Sequence, residues 1–183
     1  MSIVDVICTK SCNASECPKY SGCIDDKLRL GPGFSAYLYF TLPPATYWGG
    51  RIVRANVILY KIPSNTEDVL LSGNRYRACP LLDFFSIYGN AYAPPKADDS
   101  LCVYFEDDAR MSYTEIDITA IAQAWAVQKP ENKGLVLSGC PGARRLLYAS
   151  DRFEIAGMRP MLRLVYEGIT QPLKTAPCTV KVD

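Results

Sequence analysis

The sequence predicts a mainly β protein: an antiparallel jelly-roll-type β-sandwich with one short helix, at about residues 119–128, and an extended N-terminal leader. Three observations predict it. Short runs of β-branched and aromatic residues recur along the chain and stop at Pro or Gly clusters. A single window, residues 117–128, is alanine-rich with helical spacing. No internal repeat and no second domain breaks the pattern of strands, turns and one helix.

Taken in order, residues 1–26 form the leader. Its β-prone start, Ile3-Val4-Asp5-Val6-Ile7, gives way to a polar stretch punctuated by cysteines. Residues 27–168 form the sandwich. Its first strand, 36–42, is rich in Tyr, Phe and Leu and ends at Pro43-Pro44, which cannot continue a ladder. A second strand lies within 52–62 and closes at Pro63. A third pairing joins 78–87 to 101–105, around a loop holding Gly89-Asn90 and Pro94-Pro95.

In the helix, Thr119 is placed to cap the N-terminus, and Ile121, Ala124, Trp125 and Gln128 share one face, turning Trp125 inward. Asn132-Lys133-Gly134 turns the chain into the short buried strand Leu135-Val136-Leu137. Arg159-Pro160 launches the last body strand, 161–166. Residues 169–183 are a Pro-rich linker and a β-prone tail, Thr179-Val180-Lys181-Val182.

The ordered set Leu28-Arg29-Leu30-Gly31, residues 36–43, alternating Val53, Ala55, Val57 and Leu59, Ile116-Asp117-Ile118-Thr119 with Trp125, Asn132-x-Gly134-Leu135-x-Leu137 and Arg159-Pro160-x-Leu162-x-Leu164-x-Tyr166 resembles the DNRLRE (disaggregatase-related) domain. The resemblance covers roughly residues 26–168. It implies a β-sandwich module of the kind found in microbial cell-surface and secreted proteins, with no catalytic set. The cysteine-bearing leader lies outside that pattern.

Composition narrows the chemistry. The 183 residues carry a net charge of +1 and 49% hydrophobic residues, which gives no electrostatic case for nucleic acid or an anionic membrane surface as partner. There is no histidine, the commonest general base and metal ligand. A cysteine nucleophile would lack its usual partner, so the expectation is that the protein is not an enzyme and needs no cofactor. The acidic groups Asp25-Asp26, Asp98-Asp99 and Glu106-Asp107-Asp108 read as solvated loops, with calcium as the alternative occupant.

Eight cysteines are the outstanding feature. Cys8, Cys12, Cys17 and Cys23 crowd the leader, while Cys79, Cys102, Cys140 and Cys178 are scattered. The leader spacing lacks the close C-x2-C pairs of a zinc site. Disulfides, within the leader or to a neighbour, are therefore favoured over a metal centre. Cys140 and Cys178 lie in loops and join the crosslink candidates, whereas Cys79 and Cys102 read as ordinary buried thiols. The start of the chain shows no cationic, apolar secretory signal. That points to a protein made in a cytosol and oxidised later, on an extracellular or spore surface.

The expectation is thus a structural subunit that assembles with copies of itself. Ile3, Val4, Val6 and Ile7 would leave the body and add a strand to a neighbour's sheet, and the cysteines would lock the contact. Such an arrangement resembles, in architecture, endospore appendage subunits with a cysteine-bearing N-terminal connector. The alternative is a monomeric adhesive module, with Tyr47, Trp48, Tyr88 and Tyr92 stacking on a glycan.

Overall fold

The computed structural model describes residues 1–15, 25–43, 50–63, 73–86 and 94–168. Within them the chain forms, in order, β1 (Ser2–Ile7), β2 (Lys10–Ser15), β3 (Lys27–Leu30), β4 (Phe34–Tyr39), β5 (Arg51–Tyr60), β6 (Arg75–Pro80), β7 (Val103–Glu106), β8 (Tyr113–Asp117), α1 (Thr119–Ala126), β9 (Leu135–Gly139), β10 (Leu146–Ala149) and β11 (Met161–Glu167). One sheet runs β1-β11-β5-β8, a second β2-β4-β9-β6-β7, and β10 pairs with β3 in a third. Every strand pairing is antiparallel.

The core lies between the two larger sheets. Alternation decides which residues enter it. Along β11, Leu162, Leu164 and Tyr166 are buried while Arg163 and Glu167 are exposed. They meet Val57, Leu59 and Ile116 from their own sheet and Ala36, Leu38, Tyr76, Leu135 and Leu137 from the other. Each fully buried leucine here contributes about 2 kcal/mol from apolar area removed from water. The fold is therefore a mainly β, antiparallel sandwich with one α-helix among the described residues.

The first fifteen residues are not a separate leader within the single chain. β1 pairs with β11 from Ser2 opposite Tyr166 to Ile7 opposite Met161. β2 pairs with β4. The chain crosses between the two sheets at Cys8 and Thr9, whose amides donate to Pro160 O and Tyr39 O, each at 2.8 Å. The physical reason is twofold. Val4 and Val6 alternate onto the core. The polar look of β2 hides satisfied burial: Ser11 donates to Asp151 Oδ1 at 2.5 Å, and Asn13 donates to Lys27 O at 2.7 Å and accepts from Arg29 N at 2.8 Å.

The helix is shorter than 119–128 and capped differently. Thr119 is its first residue, and the Asp117 carboxylate accepts the Thr119 amide at 2.9 Å. The Thr119 hydroxyl accepts from Ala55 N at 3.0 Å and so ties the helix to β5. Ile121, Ala122 and Trp125 form the buried face, and Gln128 is exposed. Trp125, 3% exposed, packs into the core. Gly134 leads into β9 at φ +106°, and a Cβ there would lie 2.6 Å from Leu38 O, so the position requires glycine.

Candidate functional site

The two edges nearest the N-terminus differ. β2 borders β4 on one side and is held by side-chain bonds to Lys27, Arg29 and Asp151. β1 borders β11 on one side, and among the described residues nothing pairs with its other side. The Cys8 amide faces β11. Because successive residues of a strand turn their amides to opposite sides, those of Ile3, Asp5 and Ile7 face the free edge.

Side chains on this strand alternate as well. Val4 and Val6 face the core, while Ile3 is 66% and Ile7 52% exposed. Between the two isoleucines, Asp5 lies opposite Arg163 and accepts from it twice, at 2.8 and 2.9 Å. That bidentate pair holds the Asp5 carboxyl below its ordinary value. Ile3, Val4, Val6 and Ile7, expected to be donated to a neighbour, thus occupy their own sheet's edge and present two exposed apolar side chains there.

The cysteines divide into distinct environments. Cys8 is a free thiol at the sheet crossing, 5% exposed and within hydrogen-bonding reach of Lys10 O and Tyr39 O. Burial pushes it up to about 12. A buried, un-ionised thiol reacts slowly with a partner sulfur. Cys12 is buried on the outer side of its sheet, packs with Tyr37 and Leu81, and is in a disulfide whose partner lies outside the described residues. Cys17, Cys23 and Cys178 themselves lie outside the described residues, as do Tyr47, Trp48, Tyr88 and Tyr92 and the 179–182 tail.

Cys79 and Cys102, taken from the sequence as ordinary thiols, form a disulfide with Cα atoms 4.2 Å apart. Strand register explains it. Ala78 of β6 lies opposite Val103 of β7, which brings the next pair, Cys79 and Cys102, face to face. Cys140 is a free, half-buried thiol in the turn after β9. Of the crosslink candidates within the described residues, it is the one both unpaired and partly accessible.

The acidic groups are mostly engaged by neighbours. Asp107, expected in a solvated loop, has a side chain only 1% exposed. It accepts from Lys61 Nζ at 2.5 Å, from Thr114 Oγ1 at 2.8 Å and from the Arg144 guanidinium. The Tyr148 hydroxyl lies 2.9 Å from Thr114 Oγ1, and the Tyr76 hydroxyl donates to Arg144 O at 2.9 Å. Burial pushes the Asp107 carboxyl up, but the bonds from Lys61, Thr114 and Arg144 outweigh it and hold the group below its ordinary value. No local sequence signal marks this cluster, because Lys61 follows β5, Tyr76 lies in β6, Asp107 in the β7–β8 connection, Thr114 in β8, Arg144 in the β9–β10 connection and Tyr148 in β10. Asp98 accepts from Ser100 N at 3.0 Å and starts a short 3-10 turn, and Asp99 pairs with Arg77.

One cleft of about 300 Å³ opens at the end of the sandwich, lined by Tyr39, Leu42, Ile52, Trp125, Asn132 and Tyr166 among others. The Asn132 amide is already engaged, donating to Phe40 O at 2.8 Å and accepting from Gly134 N at 3.1 Å. No helix among the described residues is long and apolar enough to cross a membrane. No family model and no curated protein matches the chain.

Proposed function

We propose that the protein is a structural, self-assembling subunit of an extracellular or spore-surface coat or filament, with a DNRLRE-like sandwich as its body. Copies join by β-strand pairing at a sheet edge and are secured by disulfide crosslinks. The observation that carries this reading is β1: an edge strand whose outer side nothing pairs with among the described residues, carrying exposed Ile3 and Ile7. Natural sandwiches usually blunt such an edge with a charge, a proline or a covering loop, and an unblunted one favours strand addition. Asp5, the single charge on β1, is already neutralised by Arg163.

Supporting features point the same way. The charged groups inside the body hold strands to one another, as Asp107 does with Lys61 and Arg144. The Cys79–Cys102 bridge and the disulfide at Cys12 fit an oxidising setting. Cys140 offers a thiol for a bond between copies. Electron microscopy and gel electrophoresis of the purified chain, each with and without reductant, test the proposal. Filaments or sheets, and a non-reducing ladder that collapses to monomer with reductant, are expected. A single monomer band and empty grids under oxidising conditions would sink it.

The cleft beside Trp125 favours a second reading, a glycan-binding module, since two of its lining residues, Pro43 and Gly50, bound in sequence the segment carrying Tyr47 and Trp48. Binding of a soluble oligosaccharide that disappears in Trp48→Ala, by a chain that stays monomeric, would favour that reading instead.

A further inference from the structure

The segment Ile3-Val4-Asp5-Val6-Ile7 reads the same in both directions. A palindrome has no consequence for a strand pairing with β11, whose sequence differs. It has a direct one for a strand pairing antiparallel with a copy of itself. In a two-fold contact the same patch serves both partners, and a residue and its mate exchange roles. Centred on Asp5, such a pairing places Ile3 opposite Ile7 of the second copy, Val4 opposite Val6, and Asp5 opposite Asp5.

From this match we infer that two copies of the chain pair through β1 in an antiparallel, two-fold register centred on Asp5, joining their β1-β11-β5-β8 sheets into one continuous sheet. The inference rests on the self-assembly reading above and names the partner and register of that same edge.

Backbone and side chains agree on this register. The amides and carbonyls of Ile3, Asp5 and Ile7 face the edge that nothing among the described residues pairs with, so each of the three opposed pairs exchanges both of its hydrogen bonds. On the outer face the two exposed isoleucines of one copy cover those of the other. On the inner face the valine pairs extend the apolar surface that Val4 and Val6 already share with the core. Sliding the strand by two residues sets an isoleucine against Asp5. Sliding it by one sets inner-face residues against outer-face ones.

The central pair of aspartates would repel if bare. Each is instead bonded twice by the Arg163 next to it. The row across the four strands then runs Arg163, Asp5, Asp5, Arg163, with charges that sum to zero. A two-fold contact closes after two copies. Growth beyond a pair therefore falls to a second contact, for which the half-buried Cys140 thiol is suited.

Charges placed at the two isoleucine positions test the register, because both side chains are exposed and their replacement leaves the core intact. In Ile3→Lys/Ile7→Lys the two-fold register opposes like charges at both ends. In Ile3→Lys/Ile7→Glu it opposes unlike ones. Sedimentation velocity on the full chain, in reductant and at low salt, is expected to show a concentration-dependent dimer for the wild type. The Lys/Lys protein should dimerise about tenfold more weakly or worse, and the Lys/Glu protein should dimerise clearly better than the Lys/Lys one. Circular dichroism and melting curves confirm that both variants are folded. Undiminished dimerisation of the Lys/Lys protein overturns the edge, and equal weakness of both variants overturns the register. A wild type that assembles through another face refutes this inference alone, whereas one that stays monomeric with or without reductant refutes the self-assembly reading as well.

Discussion

Replacing Asp107 by alanine probes the buried ion cluster that ties the two sheets at the end opposite the cleft residues of α1. The carboxylate receives Lys61, Thr114 and Arg144, and its side chain is 1% exposed. Removing one partner of a buried pair costs about 3–5 kcal/mol, because the charge left behind has lost its counter-ion. Here Lys61 and Arg144 are 17% and 31% exposed and recover some water once the carboxylate is gone. The lower end, about 3 kcal/mol, is therefore expected. In a domain of this size that lowers Tm by roughly 6–12 °C.

Urea unfolding at neutral pH measures the loss directly, and Asp107→Asn, which keeps an acceptor for Thr114 but not the charge, should fall between. The sign of the pH dependence follows from the lowered carboxyl. A group held lower in the folded state than in the unfolded one stabilises fully above its unfolded value, near 3.8 for this carboxyl, and loses that contribution as pH falls through the folded value. The gap between wild type and Asp107→Ala should therefore narrow below about pH 4. A loss under about 1 kcal/mol at neutral pH, the level of an exposed pair, would refute the reasoning.

Three further outcomes are expected. Breaking the Cys79–Cys102 bridge in Cys79→Ala/Cys102→Ala, which frees a loop spanning 23 positions, should cost about 3 kcal/mol in urea unfolding. Gly134→Ala should lose more than about 2 kcal/mol, since it combines a left-handed backbone with a Cβ 2.6 Å from Leu38 O; a neutral effect would show that β9 can shift. In the folded, reduced protein at pH 8, an alkylating reagent should label Cys140 well before Cys8, whose buried thiol is held at about 12; mass spectrometry of the tryptic peptides reads the order.

Strands whose burial depends on their own apolar residues were legible from the sequence. The 36–42 run, the 52–62 run, Leu135-Val136-Leu137 and the 161–166 alternation each contain or overlap an observed strand. β2 was not legible, because Ser11 and Asn13 are buried by bonds to Asp151 and to the β3 backbone rather than by hydrophobicity. β3 and β8 mix polar with apolar residues, and β10 is only four residues long, so their pairing partners decide them.

The same distinction holds for sites. The cysteine-rich start stood out from the sequence, but whether a cysteine is crossed, buried or free depends on register. Cys79 meets Cys102 only because Ala78 lies opposite Val103. Asp107 resembled a loop residue because its cations stand 46 and 37 positions away in sequence. Conversely, the Ile3–Ile7 palindrome is visible in sequence, yet it acquires meaning only once β1 is seen at the edge of its sheet, with no strand on its outer side among the described residues.

The proposed role turns on copies of this chain joining one another. Light scattering of the wild-type chain tests it most directly, over a series of concentrations in reductant and again after oxidation. Self-assembly through β1 gives a mass that rises from monomer to dimer with concentration while the thiols are reduced, and to large polymers once they oxidise. A monomer mass at every concentration in both states would contradict it.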